Sequence, residues 1–83
     1  MSVVRNPRVN PLKELAAAVG AKIKVEYGEV GEAEYVLIDK NGEPVCHEYD
    51  TFDMLDAIRD YYGGHENYPE ARAQFNYATG EDE

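Results

Sequence analysis

The sequence has no tryptophan, one cysteine and few basic residues after its first third. A single cysteine cannot form an intramolecular disulfide, so packing must hold the fold together, and Cys46 suits a reducing compartment. No apolar run approaches the roughly 20 residues of a membrane-spanning helix. No charged leader precedes an apolar run, as it would in a secretory signal. We therefore expect one soluble, cytoplasmic domain.

Basic charge is concentrated at the start of the chain. Residues 1–25 carry five basic side chains and one acidic one, a formal charge of +4, whereas residues 26–83 carry three basic and sixteen acidic ones, or −13. The total is −9. A field of this sign repels nucleic acid and anionic membranes and attracts basic protein surfaces. We therefore expect a basic protein partner, no direct nucleic-acid binding and no membrane binding.

The hydrophobic pattern predicts an α+β domain with the element order α-β-β-β-α-α. Asn10-Pro11 is expected to open the first helix and Gly20 to end it. The Asn41-Gly42 pair predicts a hairpin, and Pro44 belongs at a strand start or an edge. The strands are expected at 22–27, 34–39 (the middle one) and 44–49, and the other helices at 50–62 and 68–76. They form a three-stranded antiparallel meander with helices on one face. We expect a flexible segment 1–9, a single domain 10–77 and an acidic disordered tail 78–83.

Apolar spacing predicts the core. Each helix shows one stripe of apolar side chains, and two tyrosines are expected to be buried with them. The predicted core residues are Leu12, Leu15, Ala16, Val19, Tyr27, Tyr35, Phe52, Leu55, Ile58, Tyr62, Ala71 and Phe75, with Tyr68 as a further candidate on the inner face of the last helix.

The residues that might support catalysis are few. Cys46 and His47 are neighbours on a strand, so their side chains are expected on opposite faces. His65-Glu66 lacks the second histidine of a zinc-protease helix, and Pro69 interrupts the helix that the motif needs. The alternation of Asp39, Asn41 and Glu43 around Gly42 has too few ligands for a twelve-residue calcium loop. The prediction is therefore a protein without catalytic activity, metal or other cofactor.

The order α-β-β-β-α from about Asn10 to Tyr62 resembles that of a double-stranded-RNA-binding domain. That family contacts phosphates through lysines at the start of its second helix. This sequence carries Asp50, Asp53 and Asp56 there. The resemblance therefore implies the topology and not the RNA-binding function.

Acidic residues recur along the second predicted helix. Asp50, Asp53, Asp56 and Asp60 are three or four residues apart, so they line one helix face at intervals of roughly 5–6 Å. This spacing is close to that of phosphates along a nucleic-acid strand. Glu48, Glu66 and Glu70 are in positions to extend the row. A simple alternative is a solvated face on an acidic protein.

Tyrosine is abundant, with seven residues in 83. Tyr61, Tyr62, Tyr68 and Tyr77 cannot all be buried in so small a domain, and exposed tyrosine is enriched at protein interfaces. Tyrosine beside carboxylates suits an arginine-bearing groove through charge pairs and cation–π contacts. The predicted partner-binding residues are Asp50, Asp53, Asp56, Asp60, Tyr61, Glu66, Tyr68, Glu70 and Tyr77.

In its size, acidity and compact α/β pattern, the chain resembles small phage-encoded inhibitors of host defence, such as anti-CRISPR proteins. The resemblance implies a nucleic-acid mimic whose partner is a nucleic-acid-guided defence complex or nuclease. Two alternatives stay open. One is an assembly subunit or dimerisation module that pairs through an edge strand at Pro44 to Tyr49. The other is a small enzyme or metal protein that uses Cys46, His47 or His65.

Overall fold

The computed structural model describes residues 7–80, whose helices and strands follow the order α-β-β-β-α-α. The predicted α+β class and element order are confirmed. The first helix begins at residue 9 and the last continues to residue 79, one residue before and two residues after the predicted limits of the domain at 10 and 77. The rest of the predicted flexible segment and tail, residues 1–6 and 81–83, lies outside the described residues. The elements are α1 Val9–Ala18, β1 Lys22–Tyr27, β2 Ala33–Ile38, β3 Pro44–Glu48, α2 Thr51–Tyr62 and α3 Tyr68–Thr79.

Helix α1 starts earlier than the sequence predicts. Arg8 occupies the N-cap position, and its carbonyl accepts the Leu12 N–H at 2.9 Å. Asn10 therefore lies inside the first turn, and its predicted capping role is wrong. Pro11 is tolerated there because a first-turn residue has no intrahelical acceptor for an N–H. The predicted stop at Gly20 is confirmed: Gly20 has a φ of 84° and donates to the Ala17 carbonyl.

The β1–β2 and β2–β3 hairpins close with the same type of turn, and each turn depends on one glycine. The Gly42 N–H donates to the Asp39 carbonyl at 3.0 Å, and the Asp39 N–H donates to the Glu43 carbonyl at 2.9 Å. Gly42 has a φ of 84°, and within residues 7–80 only glycines have a positive φ. A two-residue Asn-Gly turn of type I′ needs positive φ at both positions, so the loop is the longer form with a glycine bulge. The hairpin predicted at Asn41-Gly42 is confirmed.

The sheet has the order β1-β2-β3, with both pairs antiparallel. The predicted middle strand is β2, and it buries three consecutive residues, Tyr35 to Leu37. Leu37 faces Ile23 on one side and Cys46 on the other, so these side chains share the face that the helices cover. Pro44 begins edge strand β3, as predicted.

Helix α2 covers β2 and β3, α1 covers β1, and α3 packs mainly against α1. The outer face of the sheet carries no helix among the described residues. The core contains every predicted residue of α1 and α3, together with Tyr35, Leu55 and Ile58. Tyr62 is half-buried against it. No helix within residues 7–80 has both the length and the apolar character to cross a membrane.

Two core predictions are wrong, at Tyr27 and Phe52. Tyr27 lies at the end of edge strand β1 opposite Ala33, and it is 73% exposed. Phe52 is 56% exposed because the predicted stripe advances by three residues twice in succession, from Phe52 to Leu55 and from Leu55 to Ile58. Three residues fall about 60° short of a full helical turn, so such a stripe drifts off the buried face. The observed buried face of α2 consists of Thr51, Met54, Leu55, Ala57 and Ile58.

Candidate protein-binding surface

The outer face of α2 carries a row of aspartates. Asp53, Asp56 and Asp60 are all exposed. They lie opposite Met54 and Ile58, which are fully buried against the sheet. Their spacing of three and four residues places successive β-carbons roughly 5–6 Å apart. We call these three residues the α2 acidic row. These three aspartates lie on one face of α2, whereas Asp50, the fourth residue of the predicted row, precedes the helix.

Asp50 has a different role from the three residues of the row. It is the N-cap of α2, and its carboxylate accepts the Phe52 N–H at 2.8 Å. A capping aspartate satisfies a free amide of the first turn, and its charge is favourable near the positive end of the helix dipole. Asp50 therefore stabilises α2 while extending the negative charge of the row.

The charge of the α2 acidic row is largely uncompensated. Within residues 7–80, the row makes one ion pair, in which Arg59 Nη2 lies 3.7 Å from Asp56 Oδ1. Both side chains are more than half exposed, so solvent screens the pair and it contributes little to stability. The row therefore presents a net negative field to solvent.

The predicted tyrosines of the surface differ in exposure. Tyr61 is 59% and Tyr77 is 92% exposed, so both are available for contact. Tyr68 is only 9% exposed and lies in the core beside Ala71 and Phe75. Its assignment to the binding surface is wrong, because the first turn of α3 directs it inward against the hydrophobic core.

Helix α3 contributes to the surface mainly at its beginning. Glu66 and Glu70 are exposed and follow the end of α2, close in sequence to Asp60 and Tyr61. Tyr77 lies about two turns further along α3, a helix that packs mainly against α1. The structure therefore places the row on α2, Glu66 in the loop that follows α2 and Glu70 in the first turn of α3, with Tyr77 about two turns further along that helix.

Two exposed aromatic residues near Asp50 were not predicted as part of the surface. Tyr49 is 70% exposed directly after β3, and Phe52 is exposed in the first turn of α2. The guanidinium of Arg8 stacks 3.6 Å from the centre of the Phe52 ring, which fixes that ring in place. Alternating steps of three and four residues back from Ile58 reach position 51 rather than position 52. This spacing would have placed Phe52 outside the buried stripe.

The cysteine and histidines do not form a site together. Cys46 is half-buried on the helix-covered face, and burial followed by the charge of Glu48 raises the pKa of its thiol. His47 lies on the outer face, where its Nδ1 is 3.1 Å from Glu34 Oε2. The Nδ1 of His65 accepts the Asn67 N–H at 3.0 Å in the loop before α3. Each side chain thus has a local structural environment, and a raised pKa disfavours the reactive thiolate.

The oxygen-rich loop after β2 is occupied by its own hydrogen bonds. Asp39 Oδ1 accepts the N–H groups of Asn41 and Glu43, each at 2.9 Å, as expected for a turn. Among residues 7–80, no group of three or more His, Cys, Asp or Glu side chains is placed to hold a metal ion. A shallow groove of about 110 Å³ lies between α1 and α3, lined by Pro11, Glu14, Leu15, Ala71, Gln74, Phe75 and Ala78.

Comparison with known proteins gives no relative for this chain: no protein-family model, no curated protein and no solved structure matches it.

Proposed function

We propose that this protein is a non-catalytic inhibitor that occupies a basic nucleic-acid-binding site on another protein. Its docking surface is centred on the α2 acidic row, with Asp50 and the exposed aromatic rings of Tyr49 and Phe52 at one end. Tyr61, Glu66 and Glu70 extend it at the other end. The partner contributes lysine and arginine side chains that otherwise hold phosphates.

The observation that carries this proposal is the uncompensated α2 acidic row. Like charges three or four residues apart cost a helix a few tenths of a kcal/mol per pair. Within residues 7–80, the one ion pair that relieves this repulsion joins Arg59 to Asp56 at 3.7 Å. A row that weakens its own helix is better explained by a complementary basic surface than by folding.

The aromatic side chains support the same type of partner. Tyrosine and phenylalanine rings stack on arginine guanidinium planes, as nucleobases do. Arg8 on Phe52 is an example of this geometry within the molecule itself. A surface that alternates carboxylates with rings thus imitates both the phosphates and the bases of a single strand.

The resemblance to small acidic phage-encoded inhibitors of host defence gives the proposal its most specific form. The partner is then a nucleic-acid-guided surveillance complex or nuclease, and the protein acts in the cytoplasm of the host cell. It needs no cofactor and does not bind nucleic acid directly, because its charge of −9 repels it.

A competition experiment tests the proposal. A panel of purified nucleic-acid-guided nucleases is loaded with labelled nucleic acid and titrated with the protein in a gel-shift assay. We expect release of the nucleic acid by a susceptible nuclease, slower association of the protein after preloading, and weaker binding at high salt. A stable ternary complex that retains its nucleic acid would reject the mimic mechanism.

The enzyme alternative is tested by single substitutions. Cys46→Ala and His65→Ala are expected to retain inhibition, and a chelator is expected to leave the melting temperature unchanged. Cys46→Ala is expected to lower stability by about 1 kcal/mol, since its side chain is half-buried. Loss of inhibition with an unchanged melting temperature would favour chemistry at that residue.

A further inference from the structure

The two edges of the sheet differ in how they are protected. Edge strand β3 begins with Pro44, and its pairing with β2 is interrupted by an irregularity at Leu37/Ile38. Proline and bulges both discourage the pairing of an edge with another strand. Edge strand β1 has neither feature: it pairs with β2 in continuous register over six residues, Lys22–Tyr27. Within residues 7–80, its other side carries no strand.

The hydrogen-bonding direction along β1 follows from the adjoining turn. The Gly28 N–H donates to the Glu32 carbonyl at 2.8 Å, so Gly28 faces β2. Hydrogen-bonding direction alternates along an antiparallel strand, and the register of β1 with β2 is unbroken. The backbone groups that point to the open edge are therefore those of Ile23, Val25 and Tyr27.

We propose that β1 pairs with β1 of a second copy of this chain, antiparallel about a two-fold axis at Val25. In this register, Val25 pairs with its own counterpart, and Ile23 pairs with Tyr27 of the second copy. These are the residues whose backbone groups face the open edge. The result is a continuous six-stranded antiparallel sheet. The inference is independent of the proposed inhibitor function.

Charge selects this register over its neighbours. On the outer face, Lys24 lies opposite Glu26 of the second copy, and Glu26 lies opposite its Lys24. Shifting the register by two residues in one direction places Lys24 opposite Lys24, although Lys22 then lies opposite Glu26, and in the other direction it places Glu26 opposite Glu26. Opposite charges directly across a strand pair stabilise it, whereas like charges destabilise it. Lysine at a sheet edge usually discourages pairing with another strand. In the proposed dimer each Lys24 lies opposite a Glu26, so the lysines favour this particular pairing.

Exposure and overall charge agree with the pairing. Tyr27 is 73% exposed although it lies on the helix-covered face, and in the dimer it lies beside Ile23 of the second copy. Helix α2 covers β2 and β3, so the α2 acidic row lies away from the two-fold axis. The interface thus joins the less acidic sides of two chains that each carry −9.

A charge-swap series tests the dimer by sedimentation velocity over a concentration series. We expect the wild type to dimerise reversibly. Lys24→Glu and Glu26→Lys are each expected to weaken dimerisation about tenfold, because each replaces two attractive cross-strand pairs with repulsive ones. The double variant Lys24→Glu/Glu26→Lys should recover it, as should an equimolar mixture of the two single variants. A monomeric wild type, or single variants that dimerise normally, would overturn the proposal.

A crosslinking experiment tests the register without relying on charge. Chains with Cys46→Ala and either Lys24→Cys or Glu26→Cys are mixed under mild oxidation. Residues 24 and 26 of opposite chains form a non-hydrogen-bonded pair, with Cα atoms about 4.5 Å apart, which a disulfide can span. We expect the mixed disulfide to exceed either homodimer disulfide. Homodimer disulfides in equal or greater yield would reject the register.

Discussion

The outer face of α2 and the outer face of the sheet are both exposed and both carry acidic residues, but they differ in how many of those residues have a polar partner. On the sheet, Lys24 Nζ lies 3.8 Å from Glu26 Oε2, and His47 Nδ1 lies 3.1 Å from Glu34 Oε2. On α2, within residues 7–80, one aspartate of the row has an ion-pair partner, since Arg59 contacts Asp56 alone of the three. Acidic composition alone would leave both faces alike. The difference therefore favours a specific role for the negative charge on α2.

The two faces differ in packing as well as in charge. Val36 lies on the outer face of the sheet between Lys24 and His47, yet it is only 5% exposed. Long polar side chains cover apolar neighbours with their stems while their charged ends stay in water. The charged residues of the sheet thus also shield apolar surface, whereas the row on α2 lies on the far side of its helix from the core.

The largest expected effect is a difference between the two faces in how much they contribute to affinity for the partner. The variant Asp53→Asn/Asp56→Asn/Asp60→Asn should lose about 2–5 kcal/mol of affinity for the partner if the row pairs with desolvated cations. The control Glu34→Gln removes an acid from the outer face of the sheet, away from the proposed β1 interface, and should change affinity by less than about 0.5 kcal/mol. Calorimetric titration against a susceptible nuclease measures both. Equal losses for the two variants would indicate a general charge effect and remove the distinction.

The second-largest effect concerns folding, and it tests whether Asp50 has a different role from the α2 acidic row. Asp50→Ala removes the cap that accepts the Phe52 N–H, and it should lower the free energy of unfolding by about 1 kcal/mol. Asp50→Asn keeps the acceptor and should cost much less. Urea denaturation measures both variants. A cost as large for Asn as for Ala would mean that charge, rather than the hydrogen bond, is the source of the stabilisation.

A smaller effect of opposite sign is expected for the row itself. Replacing Asp53, Asp56 and Asp60 with Asn removes repulsion between neighbours and should raise the free energy of unfolding by a few tenths of a kcal/mol. The gain should shrink as salt is added, because salt screens exposed charges. Lower stability of this triple variant, measured in low salt, would mean that the aspartates support the fold.

The smallest effect at neutral pH is expected at Tyr35, where the sheet approaches Asp50. Burial, then Tyr27 and Asp50, raise the pKa of Tyr35 above its ordinary value of 10.0. The folded state therefore holds the Tyr35 proton more tightly than the unfolded state. Stability is unaffected below about pH 10 and falls as the pH rises from there through the folded pKa. Tyr35→Phe should flatten this alkaline loss in thermal melts, and an unchanged slope would contradict the assignment.

Most of the fold could be predicted from local sequence signals. Alternation in Lys22–Tyr27, the glycines of both turns and the apolar stripe of α1 each specify an element without reference to distant residues. The start of α1 could not be predicted in this way. Arg8 occupies the N-cap position and stacks on Phe52, more than forty residues away, and no local pattern contains that contact.

The candidate surface was predictable only in its central part. The spacing of the aspartates fixes their helix face once α2 is recognised, so the row follows from the sequence. The exposure of the aromatic residues does not, because it depends on which helix each one meets. Tyr68 is buried since α3 packs on α1, and Tyr27 is exposed since it ends an edge strand.

The packing of α1 against α3 has a consequence for how the chain reaches its fold. Asn67 Nδ2 donates to the Ala18 carbonyl at 3.2 Å, so the end of α1 meets the start of α3. Closing this contact encloses the whole meander and α2 in one loop, and its entropy cost must be met after the local hairpins have formed. The first and last helices are thus neighbours in space. A circular permutant that joins them by a short linker and opens at Gly20 leaves both hairpins intact, so it should make the contact between α1 and α3 local and fold faster.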